Sequence, residues 1–327
     1  MKYQDRVYGE IKIDEPVLLE IISAPEFQRL KDVDQGGYYE VHYPGTKHTR
    51  FEHSLGVFEL LRRYRASPEE QIAGLIHDIS HSAFSHTMDY IVADGSGKTQ
   101  CHQDRIFSDY VKNSSIAGIL GKYNFDVDKI VDDSNFPLKE NELPDICADR
   151  IDYSLRGLLA FKMEDRETIN YFLDHLKAAQ GKWFFDDIAS AKKYAVAFKK
   201  LNDIHYSSEI TAYMFRTTAD YLKHAFSRGY INEDDFYTTD TEVLNKTREH
   251  HSGDPVLEKL WQRMENKIRW EVNKEDYDAR VFCKSRAVDP FCQYQGSLKR
   301  VSEVIPGWKE IVTDNLKPKE HFIKFYD

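Results

Sequence analysis

A histidine and an aspartate lie side by side in an apolar helical stretch, and this pair limits what the chain can fold into. His77 and Asp78 stand between Ile76 and Ile79 in the segment AGLIHDISHSAFSHTMDY. Burying a carboxylate there is costly unless it is paired or coordinates a metal. One helical histidine is usually a half-buried polar group, but four of the thirteen histidines fall between positions 77 and 102. The cluster therefore favours metal ligands.

Two other segments supply further candidate ligands. His53 begins a helical stretch in TRFEHSLGVFELL, and antiparallel packing of neighbouring helices would bring it toward His77. Asp149 and Asp152 share the helical segment ICADRIDYSLRG, and spacing alone makes them equally good candidates. Imidazole nitrogens and carboxylate oxygens suit Mn, Fe, Co, Ni or Zn and tolerate Mg. We therefore predict a divalent metal ion.

Hydrophobic periodicity predicts a mainly α-helical chain. Apolar residues recur at helical spacing from Pro16 onward, and Ser67-Pro68-Glu69-Glu70 is typical of a helix start. Residues 270–327 mix short aromatic and β-branched runs with prolines, which indicates a small α+β appendage. We predict a core domain over residues 1–175 and a C-terminal helical extension with a mixed tail over residues 176–327.

Composition limits the partners and the location. The formal net charge is −10, and an acidic chain repels nucleic acid, so no specific nucleic acid is expected. The four cysteines contain no C-x-x-C pair, and the polar N-terminus lacks the apolar stretch of a signal peptide. No window approaches the ~20 apolar residues of a membrane span. We expect a soluble, cytoplasmic protein with reduced thiols and no membrane contact.

Three ordered motifs resemble a known family. TRFEHSLGV, HDISHSAFSH and DRIDY resemble the H…HD…D pattern of the HD-domain phosphohydrolases. The similarity is closest to the deoxynucleoside triphosphate triphosphohydrolase branch. The segment APEFQRLKDVDQGGYYEVHYPGTKHTRFEHSLGV of this chain resembles the N-terminal segment of that branch almost throughout. YINEDDFYTTD and RAVDP resemble that branch's C-terminal extension. The resemblance implies an HD-domain helical core.

The resemblance also implies which residues form the catalytic centre. It selects Asp149 over Asp152, because the family's ligand opens the D-x-x-D-Y element. The implied metal ligands are His53, His77, Asp78 and Asp149. The implied catalytic group around a metal-activated water is His81, His86, Asp89 and His102.

Within that group, His86 would protonate the departing oxygen, because a histidine titrates near neutrality. Gln103 stands where the family commonly has an acid after the histidine at 102. An orienting carboxylate is therefore either missing or supplied by Asp89.

A nucleotide substrate follows from the same resemblance. Gln35 would bind the sugar 3′-hydroxyl, and Tyr153 would stack beneath the sugar. The implied phosphate contacts are Arg50, Arg150, Lys199 and His205, the last two on a long helix. Gly36 and Gly157 stand where the branch has Leu and Asp, and we expect these changes to loosen the sugar pocket.

The predicted function is hydrolysis of (deoxy)nucleoside triphosphates to a nucleoside and tripolyphosphate, in a homo-oligomer such as a dimer or tetramer. A first alternative is a phosphatase or phosphodiesterase acting on a monophosphate, a cyclic nucleotide or a guanosine alarmone. An open sugar pocket or a second metal would favour it. A second alternative is a nucleotide-sensing module with vestigial catalysis, against which the complete ligand set argues.

Overall fold

A computed structural model of the chain describes residues 1–92 and 95–326. The fold is mainly α-helical with small β-sheets, which confirms the predicted class. An N-terminal hairpin precedes the helices of the first half. Its elements are β1 (Lys2–Asp5), β2 (Gly9–Lys12), α1 (Pro16–Ser23), α2 (Pro25–Gln28), α3 (Tyr39–His42), α4 (Arg50–Arg63), α5 (Pro68–Ile76), α6 (His102–Lys112), α7 (Ser115–Lys122), α8 (Val127–Ile130), α9 (Ala148–Ala160) and α10 (Arg166–His175).

The second half alternates long helices with short strands. Its elements are β3 (Leu176–Ala179), β4 (Lys182–Phe185), α11 (Ile188–Leu201), α12 (Glu209–Ser227), α13 (Asp240–Arg248), α14 (Pro255–Met264), β5 (Trp270–Val272), β6 (Ala279–Cys283), β7 (Phe291–Tyr294), β8 (Ser297–Arg300), α15 (Val301–Val304), α16 (Trp308–Asn315) and β9 (Lys319–Phe325). The predicted mixed tail is thus confirmed. Strands β3-β4-β7-β8 form one sheet, in which β4 and β7 run parallel, and antiparallel β5-β9-β6 form another.

Short 3-10 and π-helical turns connect these elements. Their bounds are Arg29–Asp32, Ser85–Tyr90, Asp133–Asn135, Asp234–Tyr237 and His251–Gly253 for the 3-10 turns and Asn202–Tyr206 for the π turn.

Capping residues fix where the two site-bearing helices begin. The Thr49 hydroxyl accepts a hydrogen bond from the Glu52 N–H, and the Glu52 carboxylate accepts one from the Thr49 N–H, so α4 starts in a capping box. Ser67 caps α5 in the predicted way, with Pro68 at the first position. Helix α5 ends at Ile76, so the His77-Asp78 pair follows the helix and does not lie within it.

One apolar core joins the two halves of the chain. Helix α4 packs against α5 and α9, and α9 packs against α11. The same buried cluster extends from Val7 in the N-terminal hairpin to Val312 on α16. Residues on both sides of position 175 therefore share this core, and the domain boundary placed there stays a prediction. Among the helices of the described residues, none has the length and apolar character needed to cross a membrane.

Candidate metal centre and active site

Three side chains from three helical segments converge on one point. His53 lies on α4, His77 follows α5, and Asp149 lies in the first turn of α9. The Nε2 atoms of the two histidines are 3.1 Å apart, and Oδ1 of Asp149 lies 2.8 Å from the first and 3.4 Å from the second. One donor atom from each residue lies within 4.8 Å of the others. Such spacing suits ligands placed around a single ion at about 2.0–2.2 Å.

The hydrogen bonds on the far side of each imidazole orient these rings. Nδ1 of His77 lies 2.7 Å from the carbonyl oxygen of Gly74 and donates to it, which turns Nε2 toward the centre. Nδ1 of His53 lies 2.7 Å from Oδ2 of Asp152. Metal-binding histidines usually donate their second N–H to a carbonyl or carboxylate in this way. The donor set and its orientation therefore fit a divalent ion.

Asp78 reaches the same centre and is neutralised by Arg50. Its Oδ1 lies 3.5 Å from Nε2 of His77, and its Oδ2 lies 3.8 Å from Nε2 of His53. The Arg50 guanidinium donates to Oδ2 at 2.7 Å and also to Ser85 Oγ and the Gln35 carbonyl. Burial would raise the pKa of Asp78, but Arg50 and the histidines outweigh it and hold that pKa well below its usual range. The predicted fourth ligand is thus ionised.

The charge on His53 is set by two carboxylates. Burial lowers its pKa, but hydrogen bonds to Asp149 and Asp152 outweigh burial and raise the pKa to about 9. A metal ion requires the neutral imidazole. Proton and metal therefore compete for Nε2 of His53.

Asp152 belongs to a buried ionic network and not to the converging ligands. Arg156 donates to both of its oxygens, at 3.0 and 2.9 Å, and reaches Asp5 in the N-terminal hairpin at 3.1 Å. Gly56 on α4 leaves room for this network. A Cβ on that glycine would lie 2.0 Å from Oδ1 of Asp152 and 2.3 Å from Nη2 of Arg156.

Of the predicted catalytic group, His81 and His86 border the centre. Nε2 of His81 lies 3.4 Å from Oδ1 of Asp78. The imidazole rings of His81 and His86 meet edge to face, with their centroids 5.0 Å apart. Nδ1 of His86 is 3.7 Å from Asp89, which is too long for a hydrogen bond. Burial lowers the pKa of His86 to about 4 and that of His81 well below its usual value. Both rings are therefore neutral at pH 7.

Asp89 and His102 do not line the cavity beside the centre, whereas Gln103 does. Oδ1 of Asp89 accepts the backbone N–H of His102 at 3.0 Å, and Nε2 of His102 faces the Tyr237 hydroxyl at 3.5 Å. Gln103 donates to the carbonyl oxygen of His77 at 2.8 Å. Gln103, in place of the family's acid, therefore supports the backbone of a candidate ligand.

The centre opens into a cavity of about 1080 Å³. The predicted site residues that line it are Gln35, Arg50, His77, Asp78, His81, His86, Asp149, Arg150 and Tyr153. Five predicted site residues are not among the lining residues: His53, Asp89, His102, Lys199 and His205. Lys199 pairs with Asp203 at 2.5 Å, and His205 stacks on Phe161 with ring centroids 3.7 Å apart. The π-helical turn that follows α11 carries His205 and was not predicted.

Arg150 lines the cavity, but its guanidinium is engaged by the loop before α9. It donates to the carbonyl oxygens of Asp145 and Asn141 and lies 3.4 Å from the Glu140 carboxylate. Its expected phosphate contact stays a prediction.

The two glycines do not leave open space, so the expected loosening of the sugar pocket is wrong. A Cβ on Gly36 would lie 1.3 Å from Cδ2 of Tyr39, and a Cβ on Gly157 would lie 2.4 Å from the Tyr206 hydroxyl. Both tyrosines line the cavity. Their hydroxyls donate to backbone carbonyls, that of Tyr39 to residue 205 and that of Tyr206 to residue 153. Tyrosine rings therefore occupy the volume that larger side chains at these positions would fill.

Some residues of the cavity wall were not predicted from the sequence. Lys139, Glu140 and Asp104 line it from the first half, and Lys284 and Arg286 line it from the segment that follows β6. Arg286 opens the RAVDP motif, which was recognised without a role.

The comparison with known proteins agrees with this geometry. Residues 50–157 match the HD domain family. The uncharacterized protein YdhJ of Bacillus subtilis is 33% identical over 298 residues, which cover 89% of this chain and 88% of YdhJ. The chain belongs to the HD-domain family of metal-dependent phosphohydrolases. The metal-dependent phosphohydrolase cns2 of Cordyceps militaris is 29% identical over 317 residues, covering 93% of this chain and 89% of cns2.

Two further similarities bear on substrate and fold. The deoxynucleoside triphosphate triphosphohydrolase SAMHD1 of Bos taurus is 42% identical over 102 residues, covering 26% of this chain and 17% of SAMHD1. A phosphohydrolase from Bacteroides thetaiotaomicron shares the fold, with a TM-score of 0.75 at 18% identity over 100% of this chain and 99% of its own.

Proposed function

We propose that the chain hydrolyses phosphorylated nucleosides at this centre, with (deoxy)nucleoside triphosphates as the first substrate class and a nucleoside plus tripolyphosphate as products. The observation that carries the proposal is the convergence of His53, His77 and Asp149 beside Asp78 at the wall of a cavity that also contains Gln35 and Tyr153. The partial similarity to SAMHD1 supports the triphosphate as substrate.

In this proposal each side chain has a definite task. A divalent ion held by the four ligands would polarise the phosphoryl group and lower the pKa of a water molecule. Asp152 and the Gly74 carbonyl keep the two imidazoles aimed at that point. Arg50 holds Asp78 ionised.

His86 would supply a proton to the departing 5′ oxygen. Its burial keeps it neutral in the resting protein. A phosphate group beside it would raise its pKa and allow it to carry the proton. His81 lies between this ring and Asp78, where it would help to hold the reacting groups.

The sugar would bind at the end of the cavity lined by Gln35 and Tyr153. We propose that Tyr39 and Tyr206, which occupy the space beside Gly36 and Gly157, set the shape of this end and with it the choice between ribose and deoxyribose.

One observation favours a second candidate, a phosphatase acting on a nucleoside monophosphate. Arg50, Lys139 and Arg150 all line the cavity, and each lies within ion-pair distance of a carboxylate of the protein. Cations that are already neutralised attract a triphosphate less strongly than free ones. A nucleoside monophosphate carries fewer negative charges and would therefore need fewer free cations for binding.

Chromatographic product analysis separates the candidates. Purified protein with Mn²⁺ or Mg²⁺ would be incubated with deoxynucleoside and ribonucleoside triphosphates, monophosphates, cyclic nucleotides and a guanosine alarmone. A His77→Ala variant tests the centre, and His250→Ala, outside the cavity lining, is the matched control. Nucleoside plus tripolyphosphate, lost only in His77→Ala, is the expected result.

The other outcomes are equally informative. Orthophosphate released from monophosphates alone would support the second candidate. Nucleotide binding without turnover of any substrate would contradict both and support a sensor. A cytoplasmic homo-oligomer, dimer or tetramer, stays part of the proposal, and size-exclusion chromatography with light scattering would measure the oligomeric state.

A further inference from the structure

Two cationic side chains enter the cavity from the C-terminal half of the chain. Lys284 and Arg286 follow strand β6, far in sequence from the metal-binding motifs, yet both line the same cavity as His77 and Asp78. Burial alternates along this segment, because Cys283, Ser285 and residue 287 are buried while the two cations are partly exposed. Side chains two residues apart on an extended segment lie on the same side. Both cations therefore face the cavity.

The backbone between the two cations is held in place. Ser285 donates its hydroxyl to the carbonyl oxygen of Asn315 at 2.7 Å and accepts from the side chain of Asn202 at 3.0 Å. The side-chain amide oxygen of Asn202, Oδ1, accepts the backbone N–H of Arg286 at 2.9 Å. Asn202 is fully buried. The two cations are thus presented by a fixed segment.

The two cations lack direct ion pairs among the described residues. In the part of the chain that the structure describes, neither side chain lies within ion-pair distance of a carboxylate, and Arg286 donates only to the amide oxygen of Gln100 at 3.3 Å. This contrasts with Arg50, Lys139 and Arg150, which are all paired. Burial and then the neighbouring Arg286 lower the pKa of Lys284 to about 8, although the Asp104 and Glu140 carboxylates of the cavity wall partly offset this. Such an arrangement favours an anion between them.

We propose that Lys284 and Arg286 form a binding site for the phosphates of the substrate that are not attacked, so that they select polyphosphorylated over monophosphorylated nucleotides. This site deepens the proposed function and rests on it for the identity of the substrate. Anion binding by the two cations, however, is measurable without turnover.

The kinetic test compares variants on substrates that differ only in phosphate number. We expect Lys284→Met and Arg286→Met each to raise KM for a nucleoside triphosphate by about tenfold to hundredfold, the usual effect of losing a hydrogen bond to a charged group. The value of kcat should change much less, and KM for the monophosphate by less than about threefold. Arg280→Gln removes one charge from the exposed position of strand β6, outside the cavity lining, and is the matched control.

Calorimetry with inorganic tripolyphosphate, on the full-length protein at low salt, keeps the test independent of turnover. We expect the Lys284→Met/Arg286→Met double variant to bind at least about tenfold more weakly than wild type and Arg280→Gln. If no nucleotide is hydrolysed but this difference is found, the proposed function fails and the anion site stands. Equal binding in all three proteins, or equal loss on mono- and triphosphates, would overturn the site. Circular dichroism would test whether each variant is folded. If Lys284→Met does not fold, Lys284→Gln would replace it in both experiments.

Discussion

Nδ1 of His53 lies 2.7 Å from Oδ2 of Asp152, on the opposite side of the ring from the nitrogen that faces Asp149. One aspartate of the D-x-x-D-Y element therefore faces the candidate metal centre, and the other contacts the far side of the His53 ring. The two carboxylates that spacing alone left equivalent thus occupy different positions around His53, and we propose different tasks for them.

We expect Asp152→Asn to weaken divalent metal binding by about tenfold to hundredfold, because the ring of His53 loses the carboxylate that orients it and raises its basicity. Isothermal titration with Mn²⁺ would measure this. Asp109→Asn, on an exposed part of α6, is the matched control. A folded Asp152→Asn variant that binds Mn²⁺ as tightly as wild type would show that the contact does not tune the ligand.

Gly56→Ala should destabilise the protein although alanine favours a helix over glycine. The added Cβ would lie 2.0 Å from Oδ1 of Asp152, and overpacking of a buried site costs about 1–3 kcal/mol in the free energy of unfolding. Gly118→Ala on α7 is the matched control, because apart from its chain neighbours and its own helix backbone nothing lies within 4 Å of its Cβ position. It should gain up to about 1 kcal/mol. Urea denaturation measures both, and similar effects at the two positions would contradict the packing argument.

Asp34 should make the free energy of unfolding fall as the pH rises from about 4 to about 7. Burial raises its pKa to about 7, although the Gly36 N–H partly offsets this, while an unfolded aspartate titrates near ~3.9. The folded state holds the proton more tightly, so the stability that Asp34 contributes is complete below pH ~4 and is lost on approaching pH ~7.

Asp34→Asn removes this titration and keeps an acceptor for Gly36. Relative to wild type, the variant should gain up to about 4 kcal/mol in free energy of unfolding between pH ~4 and ~8. Urea denaturation at several pH values measures the difference, which would be constant with pH if the carboxyl group were already ionised at pH 4.

Gly36→Leu should destabilise the protein because the ring of Tyr39 occupies the position of the added side chain. We expect a loss of at least about 2 kcal/mol in the free energy of unfolding. Adding Tyr39→Ala should recover part of that loss, since it vacates the same volume. A double-mutant cycle by urea denaturation measures the coupling between the two positions, and additive losses would show that the two side chains do not compete for space.

The metal centre was largely predictable, because its residues belong to short ordered motifs and the chemistry of a buried His-Asp pair allows few alternatives. The resemblance favoured Asp149, and the structure places it against Nε2 of both histidines. The roles of these residues stay proposals. The helical class followed from periodicity alone.

The shape of the cavity was not predictable from one-dimensional patterns. Glycine at 36 and 157 indicated open space, but Tyr39, three residues after Gly36, and Tyr206, from the π-helical turn after α11, fill it. Lys284 reaches the cavity from the C-terminal half, and no spacing rule connects it with His77. Such matches of volume and charge depend on tertiary packing.

The contact between Asp5 and Arg156 spans 151 residues, which has a consequence for how the protein is made. At about 5–20 residues per second, the ribosome adds Arg156 roughly 8–30 seconds after Asp5. During that interval the hairpin carboxylate has no guanidinium to bind, and His53 has no Asp152 to orient it. Metal uptake at the proposed centre is therefore expected to follow the synthesis of α9, because that helix supplies both Asp149 and the carboxylate that orients His53.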